Sequence, residues 1–383
     1  MMKFSSILLS SVTLLVAGVA YAADLPAKKA APAVAAPSGA CPAYGAGFIA
    51  IPGTDSCLNI NGYMRSDNKY TSNVARPAKS PYNFGYKFIA RVDVRNNTEV
   101  GTVRSVIGLI AVDGTTGTVP GSTVMTESAY VDVGGFRAGA APSPVDFDNA
   151  YNNSGVSYQP TQVALISYTG TVGATSFTLG AQAAENNNDA GLTTATANTQ
   201  ASRPDLLIAA TSKLGDAVTL KGGLVSHEVD GSVTGTAQGF AAIGRADIAF
   251  APIKVIVGGA YANGANSYVD NAAGSAINGQ FNSVMGGKVK DSASDASNLA
   301  TASDFYGAVE YSLGSHVLYA FADSETGTQD TNSYKRSDYG IGFKYQAAKG
   351  LYIRPELYQK TENANAASDT ISNVFYLRIR RDF

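Results

Sequence analysis

The sequence has 383 residues, with 28 Lys and Arg against 30 Asp and Glu, which gives a formal net charge of −2. A charge this close to neutral argues against a nucleic-acid-binding protein, which would have a basic surface. Glycine, tyrosine and phenylalanine are abundant (40, 21 and 15 residues), only 15% of residues are charged, and Trp is absent. The mean hydropathy of −0.01 is typical of strands that present one face to lipid and the other to water. A secreted, soluble β protein such as an adhesin is the alternative that the composition leaves open.

The first 40 residues have the pattern of an exported protein. Lys3 precedes an apolar run over residues 7–19, and Ala20-Tyr21-Ala22 forms an A-x-A cleavage site, which predicts a signal peptide over residues 1–22. The alternative is a membrane anchor helix, but the run is shorter than the roughly 20 residues that span a bilayer. Residues 23–40 are rich in Ala and Pro and predict a flexible periplasmic leader. No later apolar stretch is long enough for a spanning helix, so a membrane protein made from this chain must be a barrel.

Cys41 and Cys57 are the only two cysteines of the sequence. In an exported protein, a pair of cysteines at this spacing predicts a disulfide. We expect it to link the segment 41–57 to the first strand, with a local stabilisation of about 3 kcal/mol at most. Metal binding by two thiols without a nearby His is less favoured.

From residue 58 onward, stretches of alternating apolar and polar residues are separated by breaks that alternate between short and long. Residues 96–98, 134–135 and 348–350 are examples of predicted tight turns. The long, polar breaks include 68–83, 142–160, 185–202 and 264–301. Short turns at one end and long loops at the other distinguish a transmembrane barrel from a soluble sandwich.

The predicted strands are 58–67, 84–95, 99–112, 123–133, 136–141, 161–169, 174–184, 203–213, 217–229, 236–249, 252–263, 302–313, 316–325, 335–346, 350–362 and 370–383. Their number, about sixteen, is even, as bacterial barrels require. The predicted fold is therefore an all-β, transmembrane antiparallel β-barrel over residues 58–383.

The last predicted strand has one apolar face and one charged face. Phe375, Leu377, Ile379 and Phe383 alternate with Tyr376, Arg378, Arg380 and Asp382. Because a row of arginines suits a surface in contact with water, the charged face is predicted to line a channel lumen. Phe383 resembles the aromatic signal that closes outer-membrane barrels and is recognised by their assembly machinery.

Four segments resemble the alphaproteobacterial porins. They are residues 41–65 with their two cysteines, 92–104, 259–265 (Gly-Ala-Tyr-Ala-Asn-Gly-Ala) and 377–383 (Leu-Arg-Ile-Arg-Arg-Asp-Phe). The resemblance implies a sixteen-stranded, trimeric porin of the outer membrane, a passive, water-filled channel for small hydrophilic solutes without a cofactor. It also implies that the third long loop, 142–160, folds into the barrel. The expected partners are outer-membrane lipid, lipopolysaccharide and the barrel assembly machinery. The loop 142–160 matches the family only loosely, and Gly108 stands where a second basic residue is expected after Arg104.

The alternation of side chains along the first three and last two strands predicts a basic wall in the lumen. Its members are Arg65, Lys87, Arg91, Arg95, Arg104, Arg354, Arg378 and Arg380. In a closed barrel the last strand pairs with the first, so these residues become neighbours. If the third loop folds inward, Asp146 and Asp148 could face the wall and create a transverse field that filters solutes. The alternative is that the arginines pair with Asp67, Asp93, Glu356 and Asp382 and only stiffen the wall.

Three other functions are alternatives to a general porin. An enzyme is disfavoured because only His227 and His316 are present, on separate predicted strands, and no nucleophile, phosphate-binding or metal motif accompanies them. A substrate-specific channel would use inward-facing aromatic rings, for which Tyr63, Tyr352, Tyr358 and Tyr376 are candidates. A structural or adhesin barrel would have no conductance.

Overall fold

The fold is described from a computed structural model, which describes residues 39, 41–72, 81–113, 123–147, 162–183, 203–231, 235–265, 268–269, 299, 301–329, 332–364 and 369–383. The predicted signal peptide and, apart from Gly39, the predicted leader lie outside these residues, so both stay predictions. No helix in this part of the chain is long and apolar enough to cross a membrane.

The described residues form seventeen strands in one antiparallel sheet. The strands are β1 (Ile49–Ala50), β2 (Cys57–Thr71), β3 (Tyr82–Thr98), β4 (Gly101–Asp113), β5 (Thr123–Val133), β6 (Phe136–Ala141), β7 (Val163–Val172), β8 (Thr175–Gln182), β9 (Asp205–Leu214), β10 (Val218–Gly231), β11 (Gly235–Phe250), β12 (Ile253–Asn263), β13 (Thr301–Leu313), β14 (His316–Gln329), β15 (Asn332–Ala348), β16 (Leu351–Ala364) and β17 (Thr370–Asp382). Each strand from β2 onward pairs with the next, and β17 pairs with β2, which closes a sixteen-stranded barrel. The predicted fold class and all sixteen predicted strands are confirmed.

Tight turns join the strands at one end of the barrel. One predicted turn is wrong: Asn96, Asn97 and Thr98 belong to β3, and Glu99 and Val100 form the turn instead. Gly101 follows this turn with a φ of 102°, a conformation that favours glycine. At the other end the connections vary more than predicted, because the β10–β11 and β14–β15 connections are also short.

The two faces of the sheet have opposite chemistry. On β17, Phe375 and Ile379 are 42% and 41% exposed, whereas Tyr376 and Arg378 on the alternate positions are buried. The same alternation gives an outer surface of exposed Leu, Ile, Val, Phe and Tyr along the barrel and a charged interior. A closed sheet with an apolar outside and a charged inside fits a lipid bilayer rather than water.

The segment 41–57 folds against the inner face near the start of β2. Cys41 and Cys57 form a disulfide, as predicted, and β1 pairs with the first residues of β2. Phe48 is buried, and the Arg95 guanidinium lies 4.7 Å from the centre of its ring.

Candidate functional site

The eight residues of the predicted basic wall share the inner face and lie on five consecutive strands, β16, β17, β2, β3 and β4. The strand register places several of them directly opposite one another. Arg354 faces Arg378 across β16 and β17. Arg380 faces Arg65 across β17 and β2, and Arg65 faces Lys87 across β2 and β3. The closure of the barrel therefore brings together cations from both ends of the sequence.

Each arginine of this wall also has a carboxylate partner. The ion pairs are Arg65 with Asp67 (2.8 Å), Arg378 with Asp67 (2.7 Å), Arg95 with Asp93 (2.8 Å), Arg104 with Asp93 (3.0 Å) and Asp132 (3.3 Å), Arg354 with Glu356 (3.3 Å), Arg380 with Asp382 (2.6 Å), and Arg91 with Glu127. The four carboxylates of the stiffening alternative are thus all in contact with the wall. Within the described residues, Lys87 is the one member without such a pair.

Gly108 lies directly beside the ion pair of Arg91 and Glu127. Arg91 Nε donates to Glu127 Oε2 at 2.9 Å, and Ser128 Oγ donates to the same oxygen at 2.8 Å. A Cβ on Gly108 would overlap Glu127 Oε2 and would lie 2.5 Å from Ser128 Oγ. A side chain at this position would therefore require the Glu127 carboxylate and the Ser128 hydroxyl to move away.

Three of the four inward tyrosines present their rings to cations of the wall: Tyr63, Tyr352 and Tyr376, whose ring centre lies 5.3 Å from the Arg378 guanidinium. The Arg380 guanidinium lies 3.8 Å from the ring centre of Tyr63 and 5.7 Å from that of Tyr352. Tyr358 and Tyr376 are buried, and the Tyr376 hydroxyl donates to Asp67. The buried pair therefore offers little ring surface to a passing solute.

Inward carboxylates are concentrated on β13 to β16, and of these only Glu356 was predicted from the sequence. They are Asp304, Glu310, Asp323, Glu325, Asp338 and Glu356, all buried. The alternation of side chains along β13, β14 and β15 also predicts the inward orientation of the other five. Arg336 lies among them, with its Nη2 2.8 Å from Asp338 Oδ2.

The start of the third loop packs against the inner face of the barrel. Residues 142–147 follow β6 yet reach β8, β10 and β11. Ser143 Oγ donates to Gln182 Oε1 at 2.8 Å, and Arg245 Nη1 donates to the carbonyl of Phe147 at 2.7 Å. Val145 is buried so closely on β10 that a Cβ on Gly223 would lie 2.6 Å from its Cγ1.

The structure describes one of the two predicted acidic residues of the loop. Asp146 is half-buried between the buried side chains of Val145 and Phe147. Asp148 lies outside the described residues, as do residues 149–161. An inward course of the whole loop, and opposition between these two aspartates and the basic wall, stay predictions.

A second segment, after β12, also packs inside the barrel. Ala265, Tyr268 and Val269 are fully buried. Tyr268 Oη donates to Asp205 Oδ2 at 2.5 Å and accepts from Gln182 Nε2 at 2.7 Å, and His227 Nδ1 lies 2.7 Å from Asp205 Oδ1. We call Ser143, Gln182, Tyr268, Asp205 and His227 the inner network. It connects both inserted segments to β8, β9 and β10.

Comparison with protein families matches residues 30–376 to the family model described as Porin subfamily. Porin Omp2b of Brucella melitensis is 33% identical over 194 residues, and porin Omp2b of Brucella abortus is 32% identical over 194 residues. Each alignment covers 45% of this chain and 51% of the relative, so the chain spans about half the length of the curated relatives it matches.

Solved structures with a similar fold include two outer-membrane proteins. The outer membrane channel DcaP of Acinetobacter baumannii has a TM-score of 0.66 at 14% identity, over 86% of this chain and 97% of that chain. The trimer form of in-vitro folded OmpT of Vibrio cholerae has a TM-score of 0.57 at 10% identity, over 86% of this chain and 100% of that chain. At these identities the likeness concerns the fold.

Proposed function

The chain belongs to the porin family and is a β-barrel of the outer membrane, and from this premise we propose that it forms a water-filled channel for passive diffusion of small hydrophilic solutes and ions. The observation that supports the proposal most directly is the closed sixteen-stranded sheet with a charged interior. Charged side chains that line a lumen keep it hydrated, so solutes can cross without leaving water. Movement down a concentration gradient requires no catalytic group, and we propose that the chain is neither an enzyme nor dependent on a cofactor.

The charge distribution supports a filter with two unlike sides. The basic wall occupies β16, β17 and β2 to β4, while buried carboxylates accumulate on β13 to β16. Unlike charges on different parts of one lumen create a field across it, which orients dipolar solutes and disfavours bulky apolar ones. Asp146, which follows β6, is proposed to contribute to the acidic side together with Asp148.

The proposed assembly is a homotrimer in a bilayer of outer-membrane lipid and lipopolysaccharide. The family membership of the chain supports this proposal, as does the trimer form of OmpT, a protein of similar fold. Phe383 is proposed as the residue that the barrel assembly machinery recognises, after export directed by residues 1–22.

The decisive experiment is single-channel recording of the refolded protein in a planar bilayer with a salt gradient. We expect stepwise conductance, in groups of three, that scales with bulk salt, and a reversal potential that gives the sign of the filter. Saturating current with one class of solute would instead indicate a substrate-specific channel. A correctly folded barrel without current would instead indicate a structural barrel or an adhesin.

A further inference from the structure

Three cations of the basic wall form one continuous row around the lumen. The register places Arg380 opposite Arg65, and Arg65 opposite Lys87, on the neighbouring strands β17, β2 and β3. Adjacent strands lie about 4.8 Å apart, so the three Cα atoms span roughly 10 Å. Because the inner face is concave, long side chains from these positions converge. We call Arg65, Lys87 and Arg380 the cationic row.

The row has more positive charge than its neighbours neutralise. Arg65 pairs with Asp67 at 2.8 Å, but the same carboxylate also accepts from Arg378 Nε at 2.7 Å. Arg380 pairs with Asp382 at 2.6 Å. Lys87 makes no ion pair within the described part of the chain. Like charges directly opposite each other on neighbouring strands destabilise a sheet, so an arrangement of three needs a compensating negative charge.

The row is held in place and is accessible from the lumen. The Tyr63 ring centre lies 3.8 Å from the Arg380 guanidinium and 5.9 Å from that of Arg65, so both cations lie near the same aromatic ring. The side chains of Arg65 and Arg380 are 21% and 27% exposed. Guanidinium groups that are oriented in advance lose little entropy when they bind an anion.

We propose that the cationic row is a binding subsite for small oxyanions, that is, the phosphate or carboxylate group of a permeating solute. Planar guanidinium groups match the spacing of two oxygens in such groups, and the Lys87 ammonium adds a point charge. The proposal rests on the proposed channel function and specifies one class of solute that the channel accepts. A weak, accessible site of this kind concentrates an anion in the lumen without trapping it.

The test measures block of the chloride current by inorganic phosphate at constant ionic strength and pH 7, with acetate in a parallel series. We expect phosphate to reduce the current of the wild type saturably. The variant Lys87→Gln should raise the half-blocking concentration by about tenfold, the effect of one lost charge-assisted contact. The control variant Lys349→Gln removes the same charge from the exposed β15–β16 turn and should behave as the wild type. Block by acetate as well would assign the site to carboxylates and phosphates alike, whereas block by phosphate alone would restrict it to phosphates.

Failure of the subsite and failure of the channel are distinguishable. A wild type that conducts chloride but shows no saturable block, or equal block in Lys87→Gln, would overturn the subsite and leave the channel intact. A folded wild type without any current would overturn the channel. In that case binding of phosphate to the subsite is tested by NMR. If the subsite exists, the refolded wild type must broaden the phosphate ³¹P resonance, and Lys87→Gln must broaden it less.

Discussion

Asp67 of β2 accepts a hydrogen bond from Nε of Arg378 on β17 at 2.7 Å, across the contact that closes the barrel. The two residues are 311 positions apart in the sequence. Asp67 also pairs with Arg65 and accepts from the Tyr376 hydroxyl. One carboxylate therefore joins the two closing strands and compensates two cations of the basic wall.

The variant Asp67→Asn tests this double role. Loss of the charge should lower the free energy of unfolding by about 1.5–3 kcal/mol, as for other hydrogen bonds to charged groups. It should also shift the reversal potential toward anions, because one negative charge leaves the basic wall. Denaturant unfolding in detergent and a salt-gradient recording measure the two effects. The variant Asp216→Asn, in the exposed β9–β10 turn, is the control, and equal behaviour of the two variants would contradict the assigned role.

Replacement of Arg91, Arg95 and Arg378 by Ala together should shift selectivity toward cations. The carboxylates of Glu127, Asp93 and Asp67, now paired with these arginines, would keep their charge while the arginines are lost. At low salt we expect the permeability ratio of potassium to chloride to rise by about tenfold, since lumen potentials reach several kT.

The salt dependence of this triple variant separates an electrostatic effect from a change in pore width. At 1 M salt the Debye length falls to about 3 Å, so the shift in selectivity should largely vanish. Arg381→Ala, on the outer face of β17, should leave the reversal potential unchanged. An unchanged reversal potential in the triple variant would show that the arginines only stiffen the wall.

Gly108→Ala should destabilise the barrel near the Arg91–Glu127 pair. The added methyl would overlap Glu127 Oε2 and approach Ser128 Oγ to 2.5 Å. Both atoms are ends of side chains that can turn away, so we expect a cost near the lower end of the range typical of overpacking, about 1–3 kcal/mol, which a lower denaturation midpoint would reveal. The matched variant Gly222→Ala has its nearest neighbouring atom 4.0 Å away and should be tolerated. Equal midpoints for the two variants would refute the packing explanation for Gly108.

Tyr268→Phe should loosen both segments that pack inside the barrel. The substitution removes the hydroxyl that donates to Asp205 and accepts from Gln182, and buried groups that lose a partner cost about 1–3 kcal/mol. We expect more current fluctuation in the open channel at unchanged voltage. Tyr261→Phe alters an exposed ring on the outer face of β12 and provides the control. If the open-channel current of Tyr268→Phe fluctuates no more than that of the wild type, the inner network does not position the two segments.

The sequence predicts the strands well because tight turns and a period of two define each strand locally. The same period predicts the orientation of the basic wall. It fails at Glu127, where an irregularity in β5 inserts one extra residue opposite β4, so that Gly108 pairs with Ser128 and Leu109 with Thr126. An extra residue breaks the alternation, and both Glu127 and Ser128 are therefore buried on the inner face.

The inserted segments could not be predicted in detail from the sequence. Val145 and Tyr268 lie in connections without a regular period, and their positions depend on partners far away in the chain, Gly223 and Asp205. A buried Tyr in a polar loop has no local pattern that distinguishes it from an exposed one.

The pairing of β17 with β2 also constrains how such a sequence can diverge. Arg378 is far from Arg65 and Asp67 in the sequence, yet the Asp67 carboxylate pairs with both arginines across the closing strands. A charge gained or lost on β2 is therefore offset most directly by a change on β17. Substitutions that change the charge of β2 and of β17 should therefore arise as correlated pairs among homologues. Positions on the outer face need only stay apolar.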